Sequence, residues 1–86
     1  MAPGPDDEIR HNAPEPPYRQ LAEILAARIR RGDWSPRHPI PSESQLMGTY
    51  GVARGTVRRA VKLLVEEGLV FTVTGRGTYV TEKPKR

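Results

Sequence analysis

Arg54, Arg58, Arg59 and Lys62 stand close together in the run Arg54-Gly55-Thr56-Val57-Arg58-Arg59-Ala60-Val61-Lys62. In a helix, Arg54 and Arg58 fall one turn apart on the same edge. A guanidinium is a planar fork of N–H donors that can pair with two acceptors at once, such as O6 and N7 of a guanine. Gly55 has no side chain to hold another surface at a distance. Thr56 offers a hydroxyl for a phosphate oxygen and a methyl for a thymine. Arg59 and Lys62 are suited to phosphate oxygens or to general attraction of a polyanion. A second feature is Thr74-Gly75-Arg76-Gly77, an arginine held between two glycines. In a narrow minor groove such an arginine would meet an enhanced negative potential. A third is Ser42-Glu43-Ser44-Gln45, in which Ser42 and Gln45 have the spacing of a helix capping box. Ser44 could reach a phosphate from the helix so started, and Glu43 sits where a carboxylate complements the helix dipole. Taken singly, each arginine reads as a solvated surface residue.

These groups need elements to hold them. A first helix is expected from Pro17, a residue tolerated at a first helical position because its missing N–H would have no partner there. Tyr18, Leu21, Leu25 and Ile29 then recur at helical spacing. Arg28, Arg30 and Arg31 fall in the last turn, where cations complement the dipole, and Gly32 ends the helix. Residues 33–41 hold three prolines and read as an extended connector pinned by Trp34 and Ile40. A short helix over 43–49 follows, ending at Tyr50-Gly51. A third helix is expected from Arg54 to Glu67, with Val57, Ala60, Val61 and Leu64 as its apolar stripe and Gly68 as its stop. Leu69–Val73 and Thr78–Thr81 read as strands of a hairpin around Thr74–Gly77. The expected fold is therefore α+β: three helices plus a C-terminal β-hairpin wing, the winged variant of helix-turn-helix. The core candidates are Tyr18, Leu21, Leu25, Ile29, Trp34, Leu46, Val57, Val61, Leu64, Leu69, Phe71 and Val80.

With 86 residues the chain makes one domain. It has no cysteine, which excludes disulfides and a thiolate metal site. His11 and His38 read as two loop histidines. Paired carboxylates in a cleft, a nucleophile–base pair and a phosphate-binding loop are all missing from the sequence, so an enzyme is not expected and no cofactor is implied. No apolar run approaches a membrane span, and the acidic, proline-rich start is unlike a secretory signal, so a cytoplasmic protein is expected. Residues 1–16 read as a disordered acidic tail, 17–81 as the winged-helix domain and 82–86 as a basic tail. Residues 1–17 carry one arginine against four acids, residues 18–82 ten cations against six acids, and the end adds Lys83, Lys85 and Arg86. A basic domain suits a polyanionic partner.

The run P-S-E-S-Q-L-M-G-T-Y-G-V-A-R-G-T-V-R-R-A-V-K-L-L-V-E-E-G-L-V, followed by T-G-R-G-T-Y-V and preceded by Y-R-Q-L-A-E-I-L-A-A-R-I-R-R-G, closely resembles the DNA-binding domain of the GntR family of bacterial repressors. The resemblance covers about residues 17–81. It implies a homodimeric, sequence-specific regulator of transcription on a palindromic double-stranded operator. The helix at 54–67 would lie in the major groove and the wing at 74–77 at the minor groove. By position, Arg54, Gly55, Thr56, Arg58, Gly75 and Arg76 would touch DNA. Arg59, Lys62 and Ser44 join them from the residue chemistry above. Three places depart from the family pattern. Ser44 stands where an arginine is usual, Ala53 where a capping serine is usual, and Phe71-Thr72 where basic residues are common. Family members typically continue into a domain that binds a small effector; such an effector is not supported by this chain. The competing expectation is a winged-helix module that pairs with a larger regulator through protein contacts.

Overall fold

A computed structural model describes residues 3–82; Met1, Ala2 and the tail at 83–86, with its three cations, lie outside the described residues. The first helix, α1 (Pro17–Arg31), has Pro17 in its first turn and no side-chain cap. The Pro16 carbonyl accepts from the N–H groups of Arg19 and Gln20 at 3.0 and 3.2 Å. At the other end the Gly32 N–H donates to the carbonyls of Arg28 and Ile29. The arginines of the last turn do more than face the dipole. Asp33 accepts from Nε of Arg28 and Nε of Arg31, each at 2.8 Å. Arg28 also donates to the Tyr50 hydroxyl at 2.9 Å and lies over the Trp34 ring at 4.4 Å. It thus ties the end of α1 to the end of the second helix.

That helix, α2 (Glu43–Tyr50), opens on the expected capping box. Gln45 N–H donates to Ser42 Oγ, and Ser42 N–H donates to Gln45 Oε1. After the turn at Gly51, α3 (Arg54–Glu66) starts at Ala53, which provides no side-chain cap. An uncapped helix start costs on the order of 1 kcal/mol relative to a Ser or Thr, so packing must hold this helix in place. Val57, Ala60 and Leu64 are buried in a core shared with Leu21 and Leu25 of α1. Each fully buried leucine contributes about 1.5–3 kcal/mol. The end of α3 is a Schellman turn: Gly68 at φ +76° donates to the Val65 carbonyl while Leu69 donates to that of Leu64. The positive φ favours glycine, which has no Cβ to clash there, and it redirects the chain into the sheet.

The strands β1 (Val70–Val73) and β2 (Gly77–Val80) pair antiparallel, Val70 opposite Val80 and Val73 opposite Gly77. Val70 and Val80 face the core. Phe71 and Tyr79 stack on the outer face with ring centres 5.9 Å apart. Phe71 is therefore half-buried rather than a core residue, because strand alternation turns it away from Val70. Tyr18 and Val61 are likewise half-buried, whereas Ile24, Ile40, Val52 and Val70 are buried. The connector is more than an extended link. Arg37 N–H donates to Val80 O, Val80 N–H to His38 O and Ile40 N–H to Thr78 O. An isolated bridge between Pro39 and Tyr79 lays it alongside β2.

Residues 1–16 read in the sequence as a disordered tail; residues 3–16 here form turns and rest on α1. Gln20 is only 4% exposed. Its amide accepts from Arg10 N–H at 2.8 Å and donates to the carbonyls of Arg10 and Glu15 at 2.9 and 2.7 Å. Ile9 packs against the core, and Asp6 accepts from Arg31 at 3.0 Å. Composition hides these contacts because they use main-chain groups and one isoleucine. Gln20→Ala leaves that main chain without its partners and lowers stability by about 1–3 kcal/mol in urea unfolding. Arg10→Ala, which keeps the main chain, changes it by less than about 0.5 kcal/mol.

Candidate nucleic-acid interface

Burial of Val57, Ala60 and Leu64 sets the rotation of α3 and leaves Arg54, Gly55, Arg58, Arg59 and Lys62 exposed, with Thr56 half-buried. The hairpin tip lies on the same side. One groove is lined by Ser42, Glu43, Gln45 and Arg58 on the helical side and by residues 72–78, including Gly75 and Arg76, on the wing side. The connector explains this proximity. It runs antiparallel to β2, so its end at Ile40–Pro41 reaches the tip, and α2 begins there. Gly75 at φ +80° and Gly77 at φ +137° give the tip its turn, closed by Arg76 N–H donating to Val73 O at 2.9 Å.

Arg54 and Arg58 share a partner. Nη1 of Arg54 donates to Glu43 Oε1 at 2.7 Å, and Nε of Arg58 donates to Glu43 Oε2 at 2.8 Å. The bond from Arg58, then that from Arg54, holds the Glu43 carboxyl below its ordinary pKa, and Glu43 in turn raises that of Arg58. All three side chains meet solvent, with Arg58 64% and Glu43 37% exposed. The pair is thus screened and adds little to stability. Its effect is on geometry: both forks are held in place, and part of their charge is cancelled. The sequence reading placed Glu43 at the helix dipole alone. The available signal was two arginines four residues apart on the helix that follows an acid-led helix across a tight turn.

Not every candidate lies in the groove. Ser44 is exposed on α2 outside its lining. Arg59 turns to the other flank of α3, where its guanidinium carbon sits 3.9 Å from the centre of the Tyr18 ring. Lys62 is exposed one turn further along. Gly55 has open space around it: a Cβ built there meets nothing within 4 Å. Nothing inside the protein requires glycine at this position, although glycine in a helix costs roughly 1 kcal/mol against alanine. Among the described residues, no group of three or more His, Cys, Asp or Glu is placed to hold a metal ion. Nor is any helix among them long and apolar enough to cross a membrane.

Residues 17–80 match the family described as bacterial regulatory proteins, gntR family. The chain belongs to the GntR family. The chain is 43% identical over 77 residues to the HTH-type transcriptional repressor NagR of Bacillus subtilis, covering 90% of this chain and 31% of that protein. It is 42% identical over 69 residues to the mannosyl-D-glycerate transport/metabolism system repressor MngR of Escherichia coli, covering 80% of this chain and 29% of that protein. The chain thus spans about a third of the length of these curated GntR-type relatives. Among solved structures, the DNA-binding domain of AraR in complex with operator ORE1 superposes with a TM-score of 0.76 at 40% identity, covering 78% of this chain and 82% of that one. The winged helix-turn-helix expected from the sequence is the fold of this GntR domain, and these relatives are repressors rather than enzymes.

Two substitutions probe the interface. Glu43→Gln frees both arginines; it tightens binding to a random-sequence duplex and steepens its salt dependence, measured by fluorescence anisotropy. Because the folded Glu43 pKa is depressed, the clamp's stabilisation is present above about 4.5 and is lost as pH falls through the lower folded value. Thermal melts from pH 6 to 3 should show a smaller acid loss for the Gln variant than for wild type. Gly55→Ala raises stability by about 0.5–1 kcal/mol, yet weakens DNA binding.

Proposed function

We propose that this chain is the operator-reading head of a transcriptional repressor that acts in the cytoplasm. In this reading α3 enters the major groove. A helix with its side chains is about 10–12 Å across, and the groove is about 12 Å wide. Arg54 and Arg58 leave part of their hold on Glu43 and pair with base edges, each good bidentate pair contributing about 1–3 kcal/mol of discrimination. Gly55 lets the backbone of α3 approach the bases, and Thr56 meets a phosphate or a thymine methyl. Gly75 and Arg76 enter the adjoining minor groove. Lys62 and Ser44 meet phosphates, which position the helix without reading sequence. Two heads bind as a homodimer on a palindromic operator, since a two-fold site matches two copies of one domain.

The observation that carries this reading is a single face. Arg58, which shares the Glu43 carboxylate with Arg54, and the glycine-flanked Arg76 line two sides of one groove. The AraR domain, similar to this chain in fold and sequence, is itself bound to operator DNA.

Selection from a pool of random duplexes supplies the probe. Anisotropy titrations of the enriched duplex and a scrambled one, at several salt concentrations, then test the roles. Wild type prefers the enriched duplex by at least a hundredfold. Arg54→Ala removes most of that preference. Lys62→Ala weakens both complexes alike and lowers the salt slope by about 0.9. Equal affinity of wild type for the two duplexes contradicts the proposal.

A further inference from the structure

Consecutive helical residues are about 100° apart, so Arg58 and Arg59 look to opposite flanks of α3. Arg58 faces Glu43 and the wing. Arg59 faces the start of α1, its guanidinium 3.9 Å from the centre of the Tyr18 ring. Arg19 approaches the same ring at 5.7 Å, and its Nη2 lies 3.5 Å from the Tyr18 hydroxyl. Arg28, Arg31, Arg54 and Arg58 each bind a carboxylate. Among the described residues, Arg19 and Arg59 form no such bond. Two guanidinium groups therefore meet on one half-buried tyrosine: Arg59 on the α3 side, and Arg19 at the edge of a hollow that Asp7, Glu8, Glu15 and Glu23 also line without pairing with it.

Stacking engages the flat face of a guanidinium and leaves its N–H donors in the plane, pointing outward. The ring is thus a shelf: it restricts where Arg59 points while sparing its hydrogen-bonding edge. The Tyr18 hydroxyl, if it accepts from Arg19, keeps its own proton to donate. Three donors on one flank match the anionic oxygens of a sugar-phosphate backbone. They do not suit a base edge, because the shelf turns Arg59 away from the Arg54–Arg58 edge.

We infer that Tyr18, Arg19 and Arg59 form a phosphate-binding subsite on the α1 flank of α3, opposite the wing, in which the Tyr18 ring positions Arg59 for the DNA backbone and keeps it from the bases. This rests on the reading that α3 enters the major groove, whose two walls are phosphate ridges. The wing side addresses one wall, and the Tyr18 cluster addresses the other. Arg58 and Arg59, adjacent and chemically identical, thereby take different tasks.

The test uses the full chain with the enriched and scrambled duplexes, with thermal melts to establish that each variant is folded. Arg59→Ala and Arg19→Ala should each weaken both complexes equally and lower the salt slope by about 0.9. Between 50 and 200 mM salt, wild type then loses about threefold more affinity than either variant. Tyr18→Phe keeps the shelf but removes one neutral donor, so both complexes weaken alike by about two- to threefold, while the salt slope stays within about 0.3 of wild type and the preference between duplexes is kept. Tyr18→Leu removes the shelf, and adding Arg59→Ala to it costs less than Arg59→Ala alone. Should Tyr18→Leu fail to fold, the Phe and Ala variants decide. A changed ratio between the two duplexes in Arg59→Ala makes it a base reader and overturns the inference; so does an unchanged salt slope. Wild type that does not distinguish the duplexes defeats the operator reading instead, while the slope changes still report on the subsite. Failure to bind either duplex overturns both.

Discussion

Burial of Val57, Ala60 and Leu64 against α1 is the constraint from which the rest of the surface follows. A helix has one rotation that hides a given stripe, and on α3 that rotation puts Arg54, Gly55, Arg58, Arg59 and Lys62 outside. The start of α3 has no side-chain cap, so local preference contributes little to its position. The buried core that α3 shares with α1 and α2 supplies the support in its place. The connector then fixes the wing. By pairing with β2 on one side and leading into α2 on the other, it brings the hairpin tip and the Glu43 carboxylate to the same groove.

The charges on this surface are sorted by what faces them. At the far end of α1, Asp33 and Asp6 take up Arg28 and Arg31, so that cluster is occupied inside the protein. At the near end, Glu43 holds Arg54 and Arg58 without burying them. An exposed pair of this kind can be exchanged for another acceptor at small cost, since water already screens it. A carboxylate beside two arginines also disfavours a passing phosphate more than an uncharged base edge. In the proposed DNA complex Glu43 would act in this sense as a filter as well as a holder. Arg59, against the face of Tyr18, is held by no carboxylate among the described residues.

Features that were legible in the sequence depend on neighbours along the chain. The Ser42–Gln45 capping box, the stops at Gly32 and Gly68, the missing cap at Ala53 and the two-glycine hairpin each lie within a few residues, and all stand as read. What was not legible joins distant segments. Glu43 to Arg58, the connector to β2, Gln20 to Arg10 and Arg28 to Tyr50 depend on packing that no local pattern encodes. Tyr18 and Phe71 fell among the core residues because an aromatic ring at the right period resembles a core position. Both sit at the rim, where Tyr18 carries arginines and Phe71 stacks on Tyr79. Among the site candidates, Arg54, Arg58 and Arg76 came from the family resemblance, and Arg59 and Lys62 from residue type and spacing. Their division between the groove and the α1 flank was visible only once the helices were packed.

The account stands on one face that includes both the start of α3 and the wing tip. Titrating the isotopically labelled protein with a duplex and following its backbone amide resonances tests this directly. The account requires that residues 54–59 and 74–77 shift together and saturate at one stoichiometry, while the Ala27–Arg31 end of α1 stays unmoved. Shifts at the end of α1 with none at 54–58 would place the contact on another surface and contradict it.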